Sequence, residues 1–526
     1  MSRGPFGRVA AGGRNLARGA GAAVESRLNE TTIRLAVTGL SRAGKTVFIT
    51  SLIQNLLALG QGAAGGVNTL PRLVALLSEH GGYRLRGVKV VPARAERTAQ
   101  FDFAGKLASL AADAPTWPPR TEELAQIALH LDLVRRSALG RTLGFRRIRL
   151  EILDYPGEWL LDLPLLDQTF EEWSASVLAS LAEPPRRQYA APFLDFIAGL
   201  RANGPAEDSL IRRGHLLYRE ALLACREKLG LRYLQPGRFL TETGPGDMPF
   251  LWFFPLHGSG DPYSGSIGTT AALLTERFEA YKAEIRENFF DSHFRSFNRQ
   301  IMLVDVLGAL HGGRAAFEDT VHAVADLARG LRDGWGFWSR QRRRSLARNI
   351  VHGAGAARTL IRRAPNPLIL PVIGLAGRVL ASVVSPRPIE RVAFVATKAD
   401  HVPALARDNL QHLLHAMADP AARDWQAANT QVSFHVAASI LSTEDGTAKL
   451  DGQTVQVVRG TVLGEDIVRP FYVGAVPSQI PPPSFWSDRY FEMPVFRPPA
   501  IDPTGAHGIP HLGLDDILVA VIGDLL

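Results

Sequence analysis

The sequence predicts an α/β fold, a three-layer sandwich of helices about a central sheet, interrupted by a large helical insertion. Three observations carry this. Short apolar runs of strand length recur at 33–38, 146–153, 299–305, 391–397 and 432–437. The first of them passes through a glycine loop into a helix-periodic stretch, in LAVTGLSRAGKTVFITSLIQNLL. Between the second and third lie residues 159–295, whose apolar-periodic stretches (FLDFIAGLRA, HLLYREALLACREKL, ALLTERFEAYKAEIRENFF) are too long for an ordinary loop and suit a helical insert.

The elements follow in order. Residues 1–28 read as a mobile basic tail without the continuous apolar stretch of a secretory leader. IRLAVTG is the first strand, and YRLRGVKVVPA (83–93) predicts an additional one. DAPTWPPRTEELAQ is a proline-rich break followed by a helix start, for which Thr121 and the two acids after it are a good N-terminal signal. IRLEILDYPGE is a strand that ends at Asp154 and runs into a loop-like segment. After the insertion, IMLVDVLGAL gives the next strand and residues 314–332 a helix. A basic and apolar excursion spans 334–389, and ERVAFVATKADHV and VSFHVAAS hold the last two strands. VPSQIPPPSFWSDRYFEMPVFRPP is extended and wraps the core before a final helix at 515–526. The division that results is a core of 29–158 and 296–526, an insertion of 159–295 and the tail; no repeat of fixed period is visible.

Residues 39–46 spell G-x-x-x-x-G-K-[ST], a phosphate-binding loop, with a strand before and a helix after. Backbone N–H groups from Gly39 through Ser41, Arg42, Ala43 and Gly44 turn inward around a β-phosphate in such a loop. The helix start at Thr46 and Val47 adds partial positive charge, and Lys45 reaches the β and γ oxygens. Thr46 offers a hydroxyl to Mg²⁺. The plainer alternative, a chance glycine turn between strand and helix, is disfavoured by the flanking elements.

The base is read further on. Asp400, in Thr397-Lys398-Ala399-Asp400 after a buried strand, takes both the ring N–H and the exocyclic amine of guanine, a pair of donors that adenine does not present there. The Lys398 stem lies over the base plane. Thr397 stands where asparagine is commoner and lacks the amide that braces the loop. Ala438 and Ser439, at the end of the following strand, supply a backbone N–H to guanine O6. For the Mg²⁺ side there are two D-x-x-G candidates, Asp154 with Gly157 and Asp305 with Gly308. Chain order selects Asp154 as metal ligand and Gly157 as γ-phosphate sensor, leaving Asp305 a structural residue. Thr121 is the expected switch threonine on Mg²⁺, with a helix N-cap as its alternative. Arg120 or Arg42 is placed to reach the transferring phosphoryl group. Glu158 occupies the position of a water-orienting glutamine, and its negative charge predicts slow turnover.

Together GLSRAGKT, LDYPGEWLLDL, TERFEAYKAEIRENFFDSHFRSFNRQIMLVDVLGAL, VAFVATKADHV and GIPHLGLDDILVAVIGDLL resemble the YcjX-type P-loop GTPases, a family of bacterial stress-associated proteins. The resemblance spans nearly the whole chain from about residue 30. It implies a Ras-like P-loop NTPase core with a large helical insertion, GTP and GDP binding with Mg²⁺, slow hydrolysis and a membrane-side protein partner.

The 526 residues, 46% of them hydrophobic, exclude disordered and fibrous classes. The single cysteine, Cys225, excludes an internal disulfide and a cysteine metal cluster and fits a reducing cytosol. The formal charge of +8 is concentrated: ten arginines and no acid lie between Gly334 and Ile389, and four arginines in residues 1–24, leaving a mildly acidic body. Such runs are either solvated or bind an anionic surface, here a lipid face through 335–387 at the inner side of the cell membrane. Nucleic acid is the weaker alternative, since no recognised binding module accompanies the arginines. PLILPVIGLAGRVLASVV is broken by Pro371, Gly374, Gly377 and Arg378 and is not expected to span a bilayer. Two competing functions remain at this stage: an ATP-dependent P-loop enzyme, and a non-catalytic scaffold stabilised by nucleotide.

Overall fold

The computed structural model describes residues 30–526 apart from 41, 62–68, 80–81, 93–97, 120–123, 137–144, 241–247, 258–267, 288–296, 330–388, 488–490, 492, 503 and 505–506. The basic tail, the arginine-rich excursion and its apolar stretch therefore lie outside the described residues.

Strand β1 (Glu30–Gly39) leads into helix α1 (Lys45–Gln61), followed by α2 (Pro71–Glu79), β2 (Tyr83–Val91), the short β3 (Ala99–Gln100), α3 (Phe103–Leu110), β4 (Ala125–Arg135) and β5 (Phe145–Asp154). A 3₁₀ segment, Gly157–Asp167, opens the stretch that carries α4 (Phe170–Ala182), α5 (Arg186–Ala198), α6 (Asp208–Leu229) and α7 (Thr270–Ile285). After β6 (Arg299–Val304) come α8 (Val306–His311) and a helix, α9, over 313–329. Then follow β7 (Arg391–Ala396), α10 (Ala404–Ala427), β8 (Gln431–Val436), an antiparallel sheet of β9 (Thr443–Leu450), β10 (Gln453–Thr461) and β11 (Val468–Phe471), and α11 (Leu514–Ile522).

The main sheet runs β2-β4-β5-β1-β6-β7-β8, with β3 paired to β4. From β5 to β8 neighbours are parallel; β4 is antiparallel to β5 and β2 antiparallel to β4. The order β4-β5-β1-β6-β7-β8 with one antiparallel member is that of a Ras-like P-loop NTPase, and β2 extends its outer edge. Successive residues of the central strands face opposite ways, as the two-residue period of a strand requires. Leu35, Val37, Ile301, Leu303, Ala393 and Val395 enter one core with Phe48, Leu52 and Leu56 of α1 and Ile517, Leu518 and Val521 of α11. Ala36, Met302, Val304, Val392, Phe394 and Ala396 enter the other, which is continuous with the aromatic centre of the post-β5 helices. There Trp173 stacks on Phe278 at 5.1 Å and meets Phe253 edge-on at 5.5 Å.

One expectation is overturned. The helix placed after Thr121 is strand β4. In AQIALHLDLVR the buried Ile127, Leu129, Leu131 and Leu133 recur at every second position, between Gln126, the small Ala128, His130 and Asp132, so pairing with β2 and β5 covers one apolar face and outweighs the local Thr-Glu-Glu signal. The segment after Asp154, expected to be loop-like, is also structured: it forms the 3₁₀ turn Gly157–Asp167, with Leu160, Leu161, Leu163 and Leu165 buried.

Candidate functional site

The loop after β1 returns onto the start of α1, where Lys45 Nζ donates to the carbonyl of Gly39 at 3.0 Å. That ammonium therefore lies across the mouth of the loop, at the N-terminus of a 17-residue helix whose dipole adds positive potential. The D-x-x-G turn closes on the same place. A Cβ on Gly157 would stand 2.0 Å from the Gly39 carbonyl oxygen and 2.8 Å from Lys45 Nζ, so only glycine lets the two segments touch. Asp154, at the end of β5 and in register with Val37, is 1% exposed.

Two strands across the sheet from β1, β7 is followed by Thr397, whose N–H and Oγ1 both donate to the Val304 carbonyl, at 3.0 and 3.4 Å. It braces β6 and does not reach the phosphate loop. Lys398 turns the chain with φ +61°, and its Nζ donates to Asp305 Oδ2 at 2.6 Å. Asp305 also caps α8 by accepting from the Gly308 N–H at 3.0 Å. Burial pushes its carboxyl up, but the Lys398 ammonium and the Gly308 hydrogen bond prevail and hold it below the usual carboxylate range. Asp305 thus caps α8 and holds the Lys398 side chain in place.

Asp400, 3% exposed, accepts at Oδ2 from the backbone N–H of Ser442 (2.8 Å) and from its hydroxyl (2.7 Å). Hydrogen bonds to a charged acceptor are each worth about 1.5–3 kcal/mol, enough to orient the carboxylate. His401 beside it lies 3.2 Å from the Ser442 hydroxyl and 3.3 Å from Met493 Sδ, and burial pulls its imidazole below the usual value against the opposing charge of Asp400. The loop that follows β8 is held to both ends of the site. Ala399 donates to the Ala437 carbonyl at 3.0 Å, and the Ser51 hydroxyl of α1 donates to the Ser439 carbonyl.

These elements surround one cavity of about 480 Å³. Arg42, Ala43, Gly44, Lys45, Thr46, Val47 and Glu158 line one end; Thr397, Lys398, Asp400, Ala438 and Ser439 line the other. Gly39 and Gly157 sit against each other behind the loop. Ser41, Arg120 and Thr121 lie outside the described residues. Among the described residues no group of three His, Cys, Asp or Glu side chains could hold a metal ion by itself.

Several wall residues escaped sequence reasoning. Trp117 lines the cavity together with Met493 and Phe496 and donates from Nε1 to the Phe496 carbonyl at 2.8 Å. Ser442 lies only three residues past the segment singled out, and its signal was the hydroxyl itself. Arg226 and Leu240 reach the cavity from the post-β5 helices, where no local pattern marks them.

A model of the YcjX-like family, DUF463, matches residues 33–526. The chain is 33% identical over 506 residues to a protein of Escherichia coli named Ras-like GTPase YcjX, a match covering 94% of this chain and 96% of that one. It is 29% identical over 517 residues to the protein of that name from Shewanella oneidensis, covering 95% and 96% respectively. With the glycine loop and Asp400 on one cavity and a match over almost its full length, this chain belongs to the YcjX-like family.

Proposed function

We propose that the protein binds GTP and GDP with Mg²⁺, hydrolyses GTP slowly to GDP and phosphate, and acts as a nucleotide-dependent switch. The observation that carries this is the single cavity lined by both Lys45 and Asp400. A nucleoside triphosphate has one anionic end and one hydrogen-bonding end, and the cavity offers the complement of each. The names of both relatives agree with it.

In this reading Lys45 and the loop N–H groups from Gly39 to Val47 bind the phosphates, Asp400 selects guanine, the Lys398 stem covers its face, and Ala438 and Ser439 meet its carbonyl. The hydroxyl of Thr46 and the buried carboxylate of Asp154 are hard oxygen donors of the kind that Mg²⁺ accepts together with phosphate oxygens, and Thr121 is the third such residue. The ion, when bound, neutralises charge on the β and γ oxygens. Gly157, pressed against Lys45, senses the γ-phosphate. Glu158 faces the same space with a charge that opposes attack, hence slow turnover. The arginine segment 335–387 supplies contact with an anionic membrane face or a membrane-side protein, which fits a cytoplasmic, stress-linked protein peripheral to the inner face of the membrane.

Titration calorimetry with GTP, GDP and ATP in the presence of Mg²⁺ tests the assignment. GTP and GDP are expected to bind and ATP to give no heat; equal affinity for ATP would overturn the guanine reading.

A further inference from the structure

We propose that Arg226, in the last turn of α6, is the arginine that contacts the γ-phosphoryl group and stabilises the charge that develops during hydrolysis; this rests on the nucleotide reading above. Arg226 lines the same cavity as Lys45 although it belongs to a helix between β5 and β6. A chain of contacts places it at the phosphate end. Lys45 Nζ touches Gly157, as the 2.8 Å clearance of its missing Cβ shows. The next residue, Glu158, touches the turn Gly237–Leu240: a Cβ on Gly237 would meet the Glu158 carbonyl oxygen at 1.8 Å. That turn ends at Leu240, whose carbonyl accepts from Arg226 Nη1 at 2.5 Å. The opposite end is walled by Trp117, Phe496 and the Asp400–Ser442 pair, with no contact to α6 among these bonds.

The chemistry suits this residue type. The guanidinium keeps its charge at all physiological pH and carries five N–H donors in a planar fork, and its bond to the Leu240 carbonyl helps hold it at the cavity wall. In hydrolysis the water oxygen forms a bond to the γ-phosphorus as the bond to the bridging oxygen breaks. The electron pair leaves on the β-phosphate of GDP, and the water proton passes to solvent. Charge then spreads over three equatorial oxygens, which a planar donor set can meet. The helical segment thereby completes the site, without an arginine from another protein.

Single-turnover hydrolysis of GTP by the full chain tests this with R226A, R226K, R42A and R120A, and with R213A on the same helix as control. The R226A rate is expected to fall by on the order of 10³-fold, with little rescue by lysine, and the R213A rate to stay at the wild-type value. GDP affinity stays unchanged in R226A, while tight binding of GDP with aluminium fluoride, a mimic of the planar phosphoryl group, is lost. Wild-type turnover in R226A, a parallel loss of GDP and aluminium fluoride complexes, or the large loss appearing in R42A or R120A instead would overturn the assignment. Binding of GTP without turnover by the unmodified chain overturns the role of Arg226 alone; failure to bind GTP overturns the reading of the cavity as well.

Discussion

Asp400 is held by two hydrogen bonds from one serine and lies almost fully buried, so its carboxylate is presented in a single orientation. Replacing it with asparagine exchanges an acceptor for a donor where guanine offers only donors. D400N is therefore expected to lose about 100-fold or more in GTP affinity and to gain xanthosine triphosphate, as two charged hydrogen bonds at about 1.5 kcal/mol each imply. Competition of the two nucleotides for labelled GDP measures it, and unaltered GTP preference in D400N refutes the role. At this scale the residues at the two ends of the cavity were legible before any fold was known. Loop, TKAD and D-x-x-G residues are contiguous in sequence because a strand end followed by a tight turn delivers several groups at once. Arg226 and Leu240 were illegible for the opposite reason: each is one side chain on an element otherwise built for packing.

At the scale of elements, the D-x-x-G segment is welded to the post-β5 helices through Asp162. Its carboxylate accepts from the N–H groups of Gly237 and Arg238 and from the hydroxyl of Tyr281 at 2.7 Å. Burial outweighs these hydrogen bonds and pushes its pKa from the ordinary 3.8 up to about 6. A carboxyl raised on folding holds its proton more tightly in the native state, so its stabilisation is complete below pH 3.8 and disappears as pH climbs through about 6. At about 1.4 kcal/mol per pKa unit the loss is about 3 kcal/mol. Urea unfolding of wild type and D162N across this range is expected to show the wild type falling relative to the variant by that amount; a constant gap between the two sinks the prediction. The pH sensitivity belongs to the joint between the D-x-x-G segment and the helices that carry Arg226. Most core strands were readable because parallel, two-sided burial makes them continuous apolar runs. Strand β4 was not, since its alternation competed with a strong helix-start signal. The β9–β10 hairpin was missed although Asp451-Gly452 spells a two-residue turn, and both residues indeed have positive φ, +48° and +80°.

For the whole molecule, the distribution of charge matters more than its total. No helix among the described residues is long and apolar enough to cross a membrane. In the proposed function the membrane contact falls to the arginine-rich stretch, which lies outside the described residues. Flotation with phosphatidylglycerol liposomes is expected to carry the protein upward at low salt and to fail at high salt. Replacing Arg340, Arg342, Arg343 and Arg344 with alanine should weaken this roughly 10²–10³-fold, at about 1 kcal/mol per arginine. Flotation with neutral lipid, or undiminished flotation of the variant, argues for a merely solvated stretch.

The helix that begins at Lys45 is tied midway to a residue 454 positions later, Asn55 donating to the Ile509 carbonyl at 3.1 Å and accepting from its N–H at 3.2 Å. A ribosome has therefore made the phosphate loop long before it makes the rung that steadies it, and contacts of such sequence separation form late and slowly. Until Ile509 has emerged, the nascent chain is expected to hold nucleotide weakly, so ligand capture would mark the completion of folding rather than guide its early steps.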